Sequence, residues 1–218
     1  MRSNLTRKQL YNCILEDILS GRYRPNAVLN KIPFCAKYDV SKEEVDNVFA
    51  ALTDDYLIAY DQKKGYFIKK YLESEIKQLV YLNYTITTIR FIKLMHSLTP
   101  SVIEKINSCL QELKKLSHQK NDLTKIMQVI DNVVDNITQI VKTPLLDNIL
   151  KKAINLWLYT RKVIAYNIQM YGKQLINFYI KVLELTLSQD EKSLREFLLS
   201  FINIWETAFL EYYGKILK

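Results

Sequence analysis

Glycine and proline are scarce: the 218-residue chain holds four of each. An all-β fold needs a turn roughly every 8–12 residues, so this scarcity points to a mainly helical protein. Histidine is scarcer still, with only His96 and His118. That removes most histidine-built catalytic groups and metal sites. The three cysteines, Cys13, Cys35 and Cys109, are odd in number, far apart and never spaced C-x-x-C. They read as reduced, mostly buried thiols of a cytoplasmic protein rather than as a disulfide framework. No uninterrupted apolar run approaches the ~20 residues of a membrane span. The opening MRSNLTRKQL has no apolar signal-peptide core. There is also no glycine loop able to cradle phosphate and no Ser/His/Asp or Cys/His constellation, so no enzyme is expected.

What is present is a globular composition, 49% hydrophobic and 25% charged, with a net charge of +8. The positive balance suits a polyanionic partner, although the excess is spread along the chain. Residues 1–70 carry 12 Lys and Arg against 9 Asp and Glu.

The most informative stretch runs from Asp39 to Tyr71. Ser41 followed by Glu44 is a capping box, in which the serine oxygen takes one orphan backbone N–H and the glutamate returns to another. Val45, Val48, Phe49 and Leu52 then recur on one helical face, and Asp54 and Asp55 end the helix. Tyr56 to Tyr60 and Tyr66 to Ile68 read as strands, and Asp61 to Gly65 as a polar turn whose glycine supplies a positive φ. Upstream, Leu10, Ile14 and Ile18 mark a first helix, with Leu15 and Leu19 beside them. Thr6 or Asn4 is placed to cap it, and Gly21 to close it. Arg22 to Leu29 reads as extended. Asn30 caps a second short helix through Tyr38, with Pro33 in its first turn. Helix, short strand, helix, turn, helix and hairpin compose a winged helix-turn-helix within residues 1–70.

After Leu72 the strand signal stops. Leu72 to Ser97 is expected to be helical, with Ile76, Leu79, Leu82, Ile86, Ile89 and Ile92 marking a face. Thr99-Pro100 starts the next helix, Asn121-Asp122 a third and Thr143-Pro144 a fourth that runs through Leu156 and Tyr159 towards Met170. Gly172 punctuates, a fifth helix covers Lys173 to Leu187, and Ser188 to Glu191 reads as a capping box opening the last. The fold class is therefore mainly α: a winged helix-turn-helix over residues 1–70, then an all-α antiparallel bundle over 71–218. The boundary is expected between Lys69 and Glu75. Trp157, Trp205 and the tyrosines read as core and interface.

The run from Ile14 through Gly21, Pro25, Leu29-Asn30, Ala36-Lys37-Tyr38, Val40-Ser41, Val45 and Leu52 to the wing glycine Gly65 resembles the DNA-binding domain of GntR-family transcription regulators. The helical remainder resembles the effector-binding FCD domain of the FadR-type subfamily. The resemblance implies a homodimer, double-stranded operator DNA of two-fold symmetry, and a small-molecule effector in each bundle, of the carboxylate-metabolite class. It makes Arg7, Lys8, Lys31, Ser41, Lys42, Asp46, Lys63, Lys64 and Gly65 the expected DNA-contacting positions.

The departures from the family pattern are chemical. Two arginines that touch DNA in the family correspond to Lys42, which lacks the bidentate guanidinium fork, and to Asp46, which repels phosphate. Glu43 and Glu44 add negative charge that suits the helix N-terminus but opposes backbone contacts. An acidic side chain can instead accept from cytosine N4. In the bundle, the family's metal aspartate aligns with Asp131 and its three histidines with Asp135, Tyr179 and Phe201. The first bundle helix carries Asn83 at the family's arginine position. No metal or other cofactor is therefore expected, and Asn83, Asp131, Asp135 and Tyr179 become the polar groups of an effector pocket. Two functions stay open: an effector-responsive transcription regulator, or a regulator-like sensor or interaction module whose operator binding is weak or lost.

Overall fold

The computed structural model describes residues 5–18, 23–119, 122–146, 149 and 167–216. Two hydrophobic clusters organise them. The first gathers α1 (Arg7–Asp17), α2 (Lys31–Tyr38), α3 (Lys42–Asp54) and the hairpin of β1 (Ile58–Asp61) and β2 (Gly65–Ile68). Each helix starts where local chemistry dictates. Thr6 caps α1 with Gln9 as the reciprocal partner, Asn30 accepts from the Ile32 N–H, and Ser41 with Glu44 forms the expected box on α3. The caps satisfy N–H groups that the first helical turn leaves without partners. Leu10, Ile14 and Ile18 are buried as their spacing requires. Gly21 lies outside the described residues.

The hairpin is shorter than the sequence suggests. Pairing begins at Ile58 opposite Ile68 and closes at Asp61 opposite Gly65. Tyr56 is not in the strand: its φ of 60° places it in the left-handed region, as part of the turn out of α3. Among the described residues the sheet has only these two strands, and the extended segment before α2 meets β2 through a single antiparallel bridge, Val28 opposite Phe67. The Leu29 N–H donates to the Tyr66 carbonyl (2.8 Å), and the Ile68 N–H to Ala27 (3.0 Å).

The second cluster begins at Tyr71 and is built from α4 (Glu73–Met95), α5 (Pro100–Ser117), α6 (Leu123–Ile140), a π-helical turn (Ile168–Gly172), α7 (Lys173–Leu187) and α8 (Glu191–Ile216). Helix α7 is the central one, packing against α4, α5, α6 and α8. Its buried residues, from Leu175 to Thr186, cover the half of the helix turned to these neighbours, while Lys173, Asn177 and Lys181 line its exposed side. The buried Thr186 hydroxyl is satisfied by the Val182 carbonyl at 2.8 Å.

Three expectations are corrected here. Gly172 does not punctuate: with φ −63° and ψ −44° it is helical, and the π turn runs directly into α7. Ser188 is not the cap of α8. It closes α7, its hydroxyl donating to the Leu185 carbonyl, and Asp190 caps α8 by accepting from the Ser193 N–H at 2.9 Å. On α4 the buried face is Ile76, Val80, Ile86, Thr88, Phe91, Leu94 and Met95, while Ile89 is 38% exposed. Apolar residues surround α4, so spacing alone did not single out its inner face. The start of the fourth expected helix is helical at 144–146; Leu156, Trp157 and Tyr159 lie outside the described residues.

The two clusters meet through a tight set of contacts. Lys69 lies over the rings of Tyr56 (5.5 Å) and Tyr71 (4.7 Å) and pairs with Glu75 at 3.0 Å. The Tyr71 hydroxyl donates to the Tyr56 carbonyl. Glu75 also accepts from the Leu72 N–H (2.8 Å), and that bond, followed by Lys69, holds its carboxyl below the usual range.

Phe49 is fully buried, edge-on to Phe34 of α2 at 5.5 Å and to Tyr66 of β2 at 5.1 Å. Phe49→Ala is expected to destabilise the N-terminal cluster by about 3–5 kcal/mol. A lowered urea midpoint for that transition checks it; an unchanged midpoint would count against this packing.

Candidate nucleic-acid interface

Helix α3 buries Val45, Val48, Phe49 and Leu52 and exposes Ser41, Lys42, Glu43, Glu44, Asn47 and Ala50. These exposed groups are not equally available. The Ser41 hydroxyl donates to Glu44 Oε2 at 2.7 Å, and the same oxygen accepts from the Ser41 N–H at 2.8 Å. Both side chains are therefore occupied in holding the helix start. Asp46 is half-buried and pairs with Lys31 at the first position of α2. Lys31 also lies over the Tyr66 ring, 5.5 Å from its centre. Two expected DNA contacts thus neutralise each other and join α2, α3 and β2. Burial, and then the Asp46 carboxylate, raise the Tyr66 hydroxyl above its ordinary pKa.

The wing tip is built by one carboxylate. Asp61 Oδ1 accepts from the Lys63 N–H (2.9 Å) and the Lys64 N–H (3.0 Å), and Gly65 completes the turn at φ 77°. Both lysine side chains are left exposed. Arg7 and Lys8 are exposed on the first turn of α1, which packs against α3. Among the described residues, no hydrogen bond or ion pair joins them to the Lys31–Asp46 group.

The four effector candidates differ in burial. Asn83 and Asp135 are exposed, Asp131 is half-buried, and Tyr179 on α7 is buried. The last two belong together. Burial and then the Asp131 carboxylate push the Tyr179 hydroxyl above its ordinary pKa, while Arg90 of α4 pulls the other way. Arg90 lies seven residues beyond Asn83, the position at which the family resemblance placed an arginine. Phe201 packs at 4.4 Å on Phe178 in a ladder continued by Trp205 and Phe209. An apolar ring thus occupies that aligned metal-ligand position. Among the described residues no group of three His, Cys, Asp or Glu side chains could hold a metal ion. A groove of about 400 Å³ at one end of the bundle is lined by Met95, His96, Leu98, Gln189 and Glu191, and by none of the four candidates.

Solved structures match this architecture along the whole chain. Escherichia coli McbR/YncC superposes with a TM-score of 0.68 at 15% identity, covering 95% of this chain and 98% of its own. A transcriptional regulator described as GntR, from Rhodococcus sp. RHA1, gives 0.64 at 16% identity, covering 94% and 97%. A GntR-family transcriptional regulator from Pseudomonas syringae pv. tomato gives 0.51 at 13% identity, covering 99% and 90%. The chain has the fold of the GntR-family regulators. No family model matches the sequence and no curated protein matches it.

Within this GntR fold the helix caps, the two-stranded wing and the central α7 all follow from residues named above. Among the described residues no helix is long and apolar enough to cross a membrane.

The wing tip carries a pH signature. The two backbone N–H donors, Lys64 first and then Lys63, hold the Asp61 carboxyl below its ordinary pKa of 3.8. A depressed carboxyl favours the ordered turn above the unfolded-state pKa, and this contribution is lost as pH falls through the folded value. The Lys63 and Lys64 amide resonances are therefore expected to shift together, with a midpoint below 3.8. Asp61→Asn should abolish that titration.

Proposed function

We propose that the chain is a dimeric, DNA-binding transcription regulator. In this reading residues 1–70 bind operator DNA, and residues 71–218 bind a small-molecule effector and dimerise. The observation carrying the reading is the exposed N-terminal end of α3 beside a wing whose two tip lysines are presented by Asp61, in a chain that shares its fold with such regulators. A recognition helix enters the major groove with its N-terminal residues towards the base edges, while a basic wing touches backbone. In the bundle, Arg90, Asp131 and Tyr179 form the polar group that supports an effector site. A guanidinium there suits a carboxylate ligand. Effector binding would shift the pose of the two DNA-binding units.

A second reading keeps the fold as a sensor with weak operator binding. The Lys31–Asp46 pair favours it, because it removes one cation from the interface.

Selection from random duplexes, followed by anisotropy at two salt concentrations, separates the readings. A two-fold symmetric motif bound far more tightly than scrambled DNA supports the regulator. Uniformly weak, salt-erased binding supports the sensor. Under the first reading, changing Lys63 and Lys64 to Ala should weaken binding to all sequences alike and lower the salt slope by about 1–2; an unchanged slope would remove the wing from the interface. Asp46→Asn should release Lys31 towards phosphate and raise the slope by about 1. No change at low salt would mean that this edge of α3 does not face DNA.

A further inference from the structure

The fold leaves one question open at the recognition helix: which side chains read bases when the two family arginines are replaced by Lys42 and Asp46. The bonds around α3 narrow the choice. Ser41 and Glu44 are locked in the capping box, and Asp46 is held by Lys31. Val45, Val48, Phe49 and Leu52 face the core. Lys42 lies on the flank of the helix, and Glu43, Asn47 and Ala50 remain, all exposed. Their spacing of i, i+4, i+7 puts them in one stripe on the side of the helix opposite the core. Among the described residues neither Glu43 nor Asn47 has a hydrogen bond or an ion pair; Glu43 suits the helix dipole from the first turn, and Asn47 has no such role.

From this stripe, and resting on the reading of the chain as an operator-binding protein, we propose that Asn47 and Glu43 are its specificity-determining residues. Asn47 pairs with the N6 and N7 edge of an adenine. Glu43 accepts from the N4 amino group of a cytosine. These are the base edges that an amide and a carboxylate match in the major groove. Four helical residues rise about 6 Å, and one base pair rises about 3.4 Å. The adenine and the cytosine therefore lie within about two base-pair steps of each other in each half-site. Ala50 presents only a methyl group, suited to contact with thymine. Lys42, on the flank, contributes charge to the backbone.

The carboxylate gives the proposal a signature that a merely structural residue would lack. Glu43 repels phosphate on every sequence and gains only on the one that offers N4. Glu43→Ala should therefore raise affinity for scrambled duplex while flattening the preference for cytosine at one position. Asn47→Ala should lower affinity for the selected duplex about 10- to 100-fold, with a change of less than about twofold on scrambled DNA.

The test repeats the random-duplex selection with the wild-type chain, Glu43→Ala and Asn47→Ala, and then measures anisotropy with 7-deazaadenine placed at each adenine of the wild-type motif. The expected result is one adenine per half-site where the modified base weakens the wild type but not Asn47→Ala. Cytosine preference should be lost only in Glu43→Ala. A wild-type motif that both variants still select unchanged would overturn the proposal while leaving the regulator reading intact. A wild-type chain that selects no motif would overturn both. Both side chains are exposed and make no packing contribution to the core, so the variants fold as the parent does; matching thermal unfolding checks this.

Discussion

The ring of Phe49 is where three elements of the N-terminal cluster meet. It belongs to α3, stands edge-on to Phe34 of α2 and edge-on to Tyr66 of β2, and is fully buried. Edge-to-face contacts fix ring orientation as well as distance. The relative pose of the two helices and the wing is therefore set by one side chain and its neighbours. Lys31 extends the same arrangement to the surface, joining Asp46 of α3 and the Tyr66 ring. The half-exposed ion pair adds little stability by itself. Its consequence is positional: it decides which side chains at the edge of α3 remain free.

Helix stability and polyanion binding make opposing demands on the start of α3. Two glutamates in the first turn suit the positive end of the helix dipole, and Glu44 closes the capping box. The same charges oppose a phosphate backbone. The structure divides the conflict by residue. Glu44 is turned back onto Ser41, Asp46 is neutralised by Lys31, and Glu43 alone stands exposed and uncompensated on this helix start. The positive charge moves outward to the wing, where Asp61 accepts backbone N–H groups and leaves Lys63 and Lys64 exposed.

In the bundle, the inner face of α7 raises a polar question. That face packs against four other helices and carries Tyr179 into the interior, near Asp131 and Arg90. Next to Tyr179 on α7, Phe178 packs on Phe201 of α8, and Trp205 continues the apolar ladder along α8. The interior therefore alternates between a polar group near α4 and α6 and a close-packed aromatic face.

Local structure was legible in the residues alone. Caps at Thr6, Asn30, Ser41, Thr99 and Asp122 act over two or three residues, so their residue types announce the helix starts directly. The buried faces of α1 and α3 followed from spacing because those helices are polar on their other side. Where local chemistry is ambiguous, the reading failed. Helix α4 carries apolar residues on its outer side too, such as Tyr81 and Ile89, so its core side depended on its partners; Ser188 and Asp190 both resemble caps, and only the path of the chain assigned one to each helix. Pairings between distant residues lay beyond any local pattern. Lys31 meets Asp46, Lys69 lies between Tyr56 and Tyr71, and Arg90 rather than Asn83 approaches Tyr179. Charge type is written in the sequence, but which charge faces which is decided by helices packing across one another, and that order exists only in the tertiary structure.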